Sequence, residues 1–286
     1  MGEIRSITHT GRHALGEGLL WSVRDQALYW TDILSHRVHR LGADGQTHTL
    51  WQLDDHVGWV IERERGGFLA GIGRRFCTLD LAEDGTWSAE VLAAPEDGVE
   101  GNRCNDAKAD RFGAVWAGSM DIGCTRPSGS FYRLDPQGRV TRIASGFTIP
   151  NGPAIGADIL YHTDSAQRTI FRHALHDDGQ VGPAEPFIVF ADPAWGVPDG
   201  MCLDAEGGLW VACWDGGAVR RFAPDGTLDR TIALPGSQIT NVCFGGPGLD
   251  RMFITSAADG SANPLDGALF ELDAGVRGRP AHRFAG

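Results

Sequence analysis

The chain has 286 residues, with 37 Asp and Glu against 25 Lys and Arg for a formal net charge of −12. That balance excludes a nucleic-acid-binding face, which needs clustered Lys and Arg opposite phosphates; no apolar stretch approaches membrane-span length either. Forty Gly, fourteen Pro and the absence of helical periodicity point to a turn-rich all-β chain.

In chain order, the opening MGEIRSITHTGRH lacks the apolar core of a signal peptide, so a cytoplasmic protein is expected. From there one phrase recurs six times: an opening strand, a second apolar strand, usually a third, and an Asp/Gly turn. The second strands read LYWTDI (28–33), FLAGIG (68–73), VWAGSM (115–120), LYHTDS (160–165), LWVACW (209–214) and MFITSA (252–257). Their starts lie 40 to 49 residues apart, the period of four-stranded propeller blades. The prediction is an all-β, six-bladed β-propeller forming one domain over residues 1–286. EIRSITHTG alternates like a strand and is expected to complete the last blade, leaving no open edge at the seam. Nine Trp supply bulk for packing blade against blade. The six Cys (77, 104, 124, 202, 213 and 243) have neither metal nor disulfide spacing and read mostly as small apolar residues. A monomer or weak oligomer is expected.

Counting back about ten residues from each second strand reaches the opening of the innermost strand. The count lands on Glu17, the Gly58 region, Asn105, Asn151, Asp199 and Asn241. Innermost strands line the channel, so the five polar side chains are expected to converge at one mouth. Two close carboxylates repel, and a divalent cation relieves this. Oxygen donors suit Ca²⁺, Mg²⁺ or Mn²⁺, while three ligands with open positions also admit Zn²⁺ or Fe(II). Taken singly, Asn151-Gly152 and Asp199-Gly200 read as turns, Glu17 as a loop acid and Asn241 as a hydrogen-bonded corner residue. Their coincidence at one repeat position favours the metal centre.

The segment GNRCNDAKAD (101–110) differs from the other blade openings. Arg103 and Asn105, two apart on an extended segment, point to one side, and the Arg fork suits an oxygen-rich ligand. The alternative is an Arg paired with Asp106 or Asp110 to hold the loop. Asp121 and Asp215, just beyond their second strands, are placed to rim the same mouth; Asp215 reads better as a solvated loop acid.

The stretches GEGLLW (16–21), YWTDI (29–33), NRCNDAKADRFGAVWAGSM (102–120), PNGPA (150–154), YHTDS (161–165), PDGMCLDAEGGLWVACWDGG (198–217) and CFGG (243–246) together resemble the regucalcin, gluconolactonase and luciferin-regenerating-enzyme family. The resemblance implies a metal held by Glu17, Asn151 and Asp199, substrate contacts from Arg103 and Asn105, and Asp199 as acid/base. Mammalian members carry a substrate-contacting acid on the loop after the third blade's second strand. Here that loop reads SMDIGCTRPSG and its acid, Asp121, falls about two residues early. The loop is the expected determinant of which sugar acid fits.

The leading reading is a metal-dependent sugar lactonase, with a small sugar lactone as its partner. Hydrolysis of phosphotriesters or aryl esters is the enzymatic alternative; a non-catalytic calcium-binding propeller is the other. YWTD (29–32) also matches a receptor-propeller signature, but only YHTD (161–164) approaches a repeat of it.

Overall fold

The computed structural model describes residues 2–286. Its strands form six four-stranded antiparallel sheets, one per blade, in a closed ring. Helix among the described residues is confined to three single 3-10 turns, and no helix is long and apolar enough to cross a membrane. The innermost strands are Gly16–Ser22, Val57–Glu62, Asn102–Ala109, Pro150–Ile155, Val197–Leu203 and Ile239–Gly245.

Blade six is completed from the other end of the chain. The N-terminal strand Arg5–Ile7 pairs antiparallel with Leu269–Leu272, Ser6 opposite Phe270. The seam thus has paired backbone on both sides instead of a bare edge. Trp21 of blade one stacks on Phe253 of blade six across it, ring centroids 6.1 Å apart.

The core is a ring of blade interfaces. Trp51, Val60 and Phe68 fill the gap between blades one and two; Trp59, Phe76 and Tyr132 fill the next. Trp116 and Phe131, Tyr161 and Phe222, Trp210 and Phe270, and Trp30 and Phe253 close the remaining four. Two of these Trp residues are anchored by the same local device. Asp110 caps the turn through the amides of Phe112 and Ala114 and accepts from Trp116 Nε1 at 2.8 Å. Asp204 does the same with Glu206, Gly208 and Trp210 Nε1 at 2.9 Å. A carboxylate six residues before the Trp fixes both turn and ring.

Every innermost strand breaks register against its neighbour near its start: between Glu17 and Leu20, Val57 and Trp59, Cys104 and Ala107, Asn151 and Ala154, Pro198 and Met201, and Ile239 and Asn241. A β-bulge re-aims side chains and bends its strand. Six at one level turn the strand openings toward the axis. Backbones crowd there: a Cβ on Gly200 would lie 2.4 Å from Asn241 Nδ2, and Gly18, after Glu17, sits at φ +59°, where a side chain is strained.

The far halves of the same strands line a cavity of about 490 Å³ at the opposite end of the channel, walled by Leu19, Ala154, Met201 and Cys243. Residues 277–286 strap that end. Gly278 N bonds Leu249 O and Arg277 O accepts from Ala205 N; beyond the cavity, Phe284 pairs with Glu62 and Glu64, and Ala285 N reaches Gly113 O.

Candidate metal and substrate centre

The bulged strand openings bring Glu17, Arg103, Asn105, Asn151, Asp199 and Asn241 into one buried group. Asn105 is its hub. Its Nδ2 donates to Asn151 Oδ1 at 2.7 Å and to Pro150 O at 2.9 Å, while its Oδ1 accepts from Arg103 Nη1 at 2.6 Å. Asn151 Nδ2 donates to Ser165 Oγ at 2.9 Å, and that hydroxyl donates to Pro198 O at 2.6 Å, beside Asp199. The amide is thereby oriented with its oxygen toward Asn105. On the other side Asn241 Nδ2 donates to Glu17 Oε2 at 2.8 Å. Gly18 N also bonds Oε2, so both hydrogen bonds to Glu17 fall on one oxygen.

Two polar atoms of the group have no partner although fully buried: Asp199 Oδ1 and Arg103 Nε. Unpaired buried polar atoms cost on the order of 1–3 kcal/mol each, a cost that a ligand supplying partners to both would remove.

A third buried carboxylate joins Glu17 and Asp199. Asp106 accepts from Ala107 N at 2.7 Å and from Asn241 Nδ2 at 3.4 Å. Burial, then the charge of Asp106, pushes Glu17 up to about 7. Burial followed by Glu17 and Asp106 holds Asp199 well above the usual carboxylate range, and burial raises Asp106. Burial likewise lowers Arg103. Three buried carboxyls with few cations nearby resist ionising together, a repulsion that a bound cation would relieve.

The donor set fits a divalent cation. Glu17, Asn151 and Asp199 offer oxygen donors only, two of them carboxyl groups, and Asp199 Oδ1 has no hydrogen-bond partner. That chemistry matches hard cations first.

The alternative pairing for Arg103 is not what the structure shows: Asp106 bonds Ala107 and Asn241, and Asp110 bonds its own turn and Trp116. Asn241 is the corner residue expected, with its amide turned on Glu17. Asp215 is exposed. Asp121 lies at the rim, paired across the ladder with Asn102. Its carboxylate bonds Arg126 Nε at 2.9 Å and the amide and hydroxyl of Thr125 at 3.2 and 3.1 Å. Arg126 holds it well below the usual range; Asp121 thus organises the 121–126 loop. Blade two offers Gly58 at the repeat position and no donor.

Residues 15–258 match the family profile described as the SMP-30/Gluconolactonase/LRE-like region. The chain belongs to this family. Within the SMP-30/gluconolactonase family it is 37% identical over 281 residues to a 6-deoxy-6-sulfogluconolactonase of Pseudomonas putida, covering 95% of each chain. It is 35% identical over 282 residues to a pentonolactonase of Haloferax volcanii, covering 94% of each. The solved structure of regucalcin from Agrobacterium tumefaciens, described as a calcium-binding protein, superposes with a TM-score of 0.90 at 28% identity, over 99% of this chain and 97% of that one. All the centre's residues fall inside the segment that the family profile matches, while the N-terminal strand and the C-terminal strap lie beyond that match.

Proposed function

We propose that this chain hydrolyses a sugar-acid lactone, an aldono-1,4- or 1,5-lactone, to the open aldonate, using a divalent cation held by Glu17, Asn151 and Asp199. The observation that carries the reading is Asp199 Oδ1, a buried carboxylate oxygen without a partner beside an Arg with a free Nε. The lactonase names of the relatives from Pseudomonas putida and Haloferax volcanii support the substrate class, and a place in sugar-acid catabolism follows from it.

A bound cation would polarise the lactone carbonyl and stabilise the oxyanion that forms there. Arg103 and Asn105, locked together at 2.6 Å, hold the ring hydroxyls in one orientation. Asp199 takes a proton from the attacking water as its oxygen bonds to the carbonyl carbon. The same carboxyl then gives that proton to the ring oxygen as the ester bond breaks, leaving one new hydroxyl and a carboxylic acid that releases its own proton to solvent to become the aldonate. Asp121 acts on specificity by fixing the loop that borders Arg103.

The test is a pH-indicator hydrolysis screen over a panel of aldonolactones, with and without chelator. Chelator-sensitive acid release above the spontaneous rate, lost in Asp199→Asn, is expected. Because oxygen-only donors also suit Ca²⁺, tight calcium binding with no hydrolysis across the panel would favour a calcium-binding role instead.

A further inference from the structure

A separate group of donors stands at the same rim, outside the channel. His36 lies in the turn after the second strand of blade one; Asp55 and His56 lie in the loop entering Val57–Glu62 of blade two. One ligand atom from each of the three falls within 4.8 Å of the other two. The His36 and His56 rings are 4.5 Å apart and tilted by 56°, and His56 Nδ1 is 3.2 Å from Asp55 Oδ1.

The loops that carry them are tied by backbone bonds. Leu53 N donates to His36 O at 2.8 Å, and Gly73 N to His56 O at 2.7 Å. Gly73 O in turn accepts from Cys104 N at 2.7 Å, next to Arg103. The group therefore borders the channel mouth between blade one and blade two, whose repeat position, Gly58, brings no donor to the axis.

We infer that His36, Asp55 and His56 form a second divalent-cation site, of the Zn²⁺ type. Two imidazoles and one carboxylate are the three-ligand set of open zinc centres, and nitrogen donors favour Zn²⁺, Co²⁺ or Ni²⁺ over Ca²⁺ and Mg²⁺. The channel centre has only oxygen donors, so the two sites prefer different ions. An Asp55–His56 ion pair alone would need no third group, yet His36 from another blade stands within the same radius. Asp55 is exposed, which leaves the remaining coordination positions to water. The site does not depend on what the channel centre does.

Calorimetric Zn²⁺ titration of the double variant Glu17→Gln/Asp199→Asn isolates it from the channel. One equivalent of Zn²⁺ is expected to bind, weakened at least tenfold by adding His36→Ala or His56→Ala. Should the double variant fail to fold, wild-type protein saturated with Ca²⁺ gives the same reading: one further Zn²⁺ equivalent, lost in His56→Ala. No Zn²⁺ binding once the channel is blocked, or binding that survives both histidine substitutions, overturns the site whether or not the protein is a lactonase.

Discussion

Asn241 Nδ2 donates to Glu17 Oε2 at 2.8 Å across the seam between the last blade and the first, 224 positions apart in sequence. This bond orients the carboxylate proposed as a cation ligand and partly offsets the rise in its pKa that burial and the charge of Asp106 cause. Groups that orient metal ligands are typically worth 10–100-fold in affinity. Asn241→Leu is therefore expected to weaken cation binding by roughly that factor near neutral pH, read by calorimetric titration. Wild-type affinity would show that Glu17 is oriented by other means.

Metal binding and substrate binding are expected to separate at Glu17 and Arg103. Glu17→Gln is expected to lower the metal content of purified protein, because a charged ligand is lost. Arg103 has no lone pair for a cation, so Arg103→Ala should keep its metal while KM rises and turnover drops. Elemental analysis beside steady-state kinetics decides it; equal metal loss in both variants would mean the roles are misassigned.

Asp199→Asn keeps an oxygen ligand but removes the proton acceptor. Turnover is expected to fall by roughly 10²-fold or more even at saturating metal, after subtraction of spontaneous lactone opening. Recovery to within a few-fold of wild type would leave Asp199 as a ligand alone.

The raised pKa of Glu17 links stability to pH. Its folded value of about 7 lies above the ordinary 4.5, so the folded state keeps a proton that the unfolded chain has lost. That contribution is fully present below about pH 4.5 and disappears as pH rises through about 7. Histidines pull the other way: burial lowers His39 to about 2 and His162 to about 3, which costs stability as pH falls below about 6.5. Comparison with Glu17→Gln removes the histidine share. In chelator, thermal melts should show wild type losing ground to Glu17→Gln between about pH 5 and pH 8. Added cation should raise the wild-type melting point more at the higher pH. A pH-independent gap between the two proteins would count against an ionising Glu17.

Deleting residues 1–10 strips Arg5–Ile7 from Leu269–Leu272 and exposes the edge of blade six. A clearly lower unfolding midpoint is expected; an unchanged one would mean that the ring holds without this strand.

The propeller was legible because its unit recurs six times, and aligning the units with one another also picked out Glu17, Asn105, Asn151, Asp199 and Asn241, which the fold gathers into one buried group. Asp106 was harder to read. Strict alternation puts Arg103 and Asn105 on one face and Asp106 on the other, but the bulge between Cys104 and Ala107 breaks that alternation. Asp106 is thus coupled to Glu17 and Asp199 instead of serving Arg103. The His36, Asp55 and His56 group has no motif spacing, since neighbouring blades bring it together. The strap carries no periodic pattern in RGRPAHRFAG that could announce where it docks.

The closed ring has a consequence for synthesis. Arg5–Ile7 leaves the ribosome before any of the blades, yet its strand partner among the described residues, Leu269–Leu272, comes after five complete blades. The Asn241–Glu17 bond and the strap onto Glu62, Glu64 and Gly113 must likewise await the late part of the chain. A nascent chain can stack blades in order, but it holds an open, incomplete centre until residues 239–286 are made. The proposed cation binding and lactone hydrolysis should accordingly arrive together, as a late event in the life of each molecule.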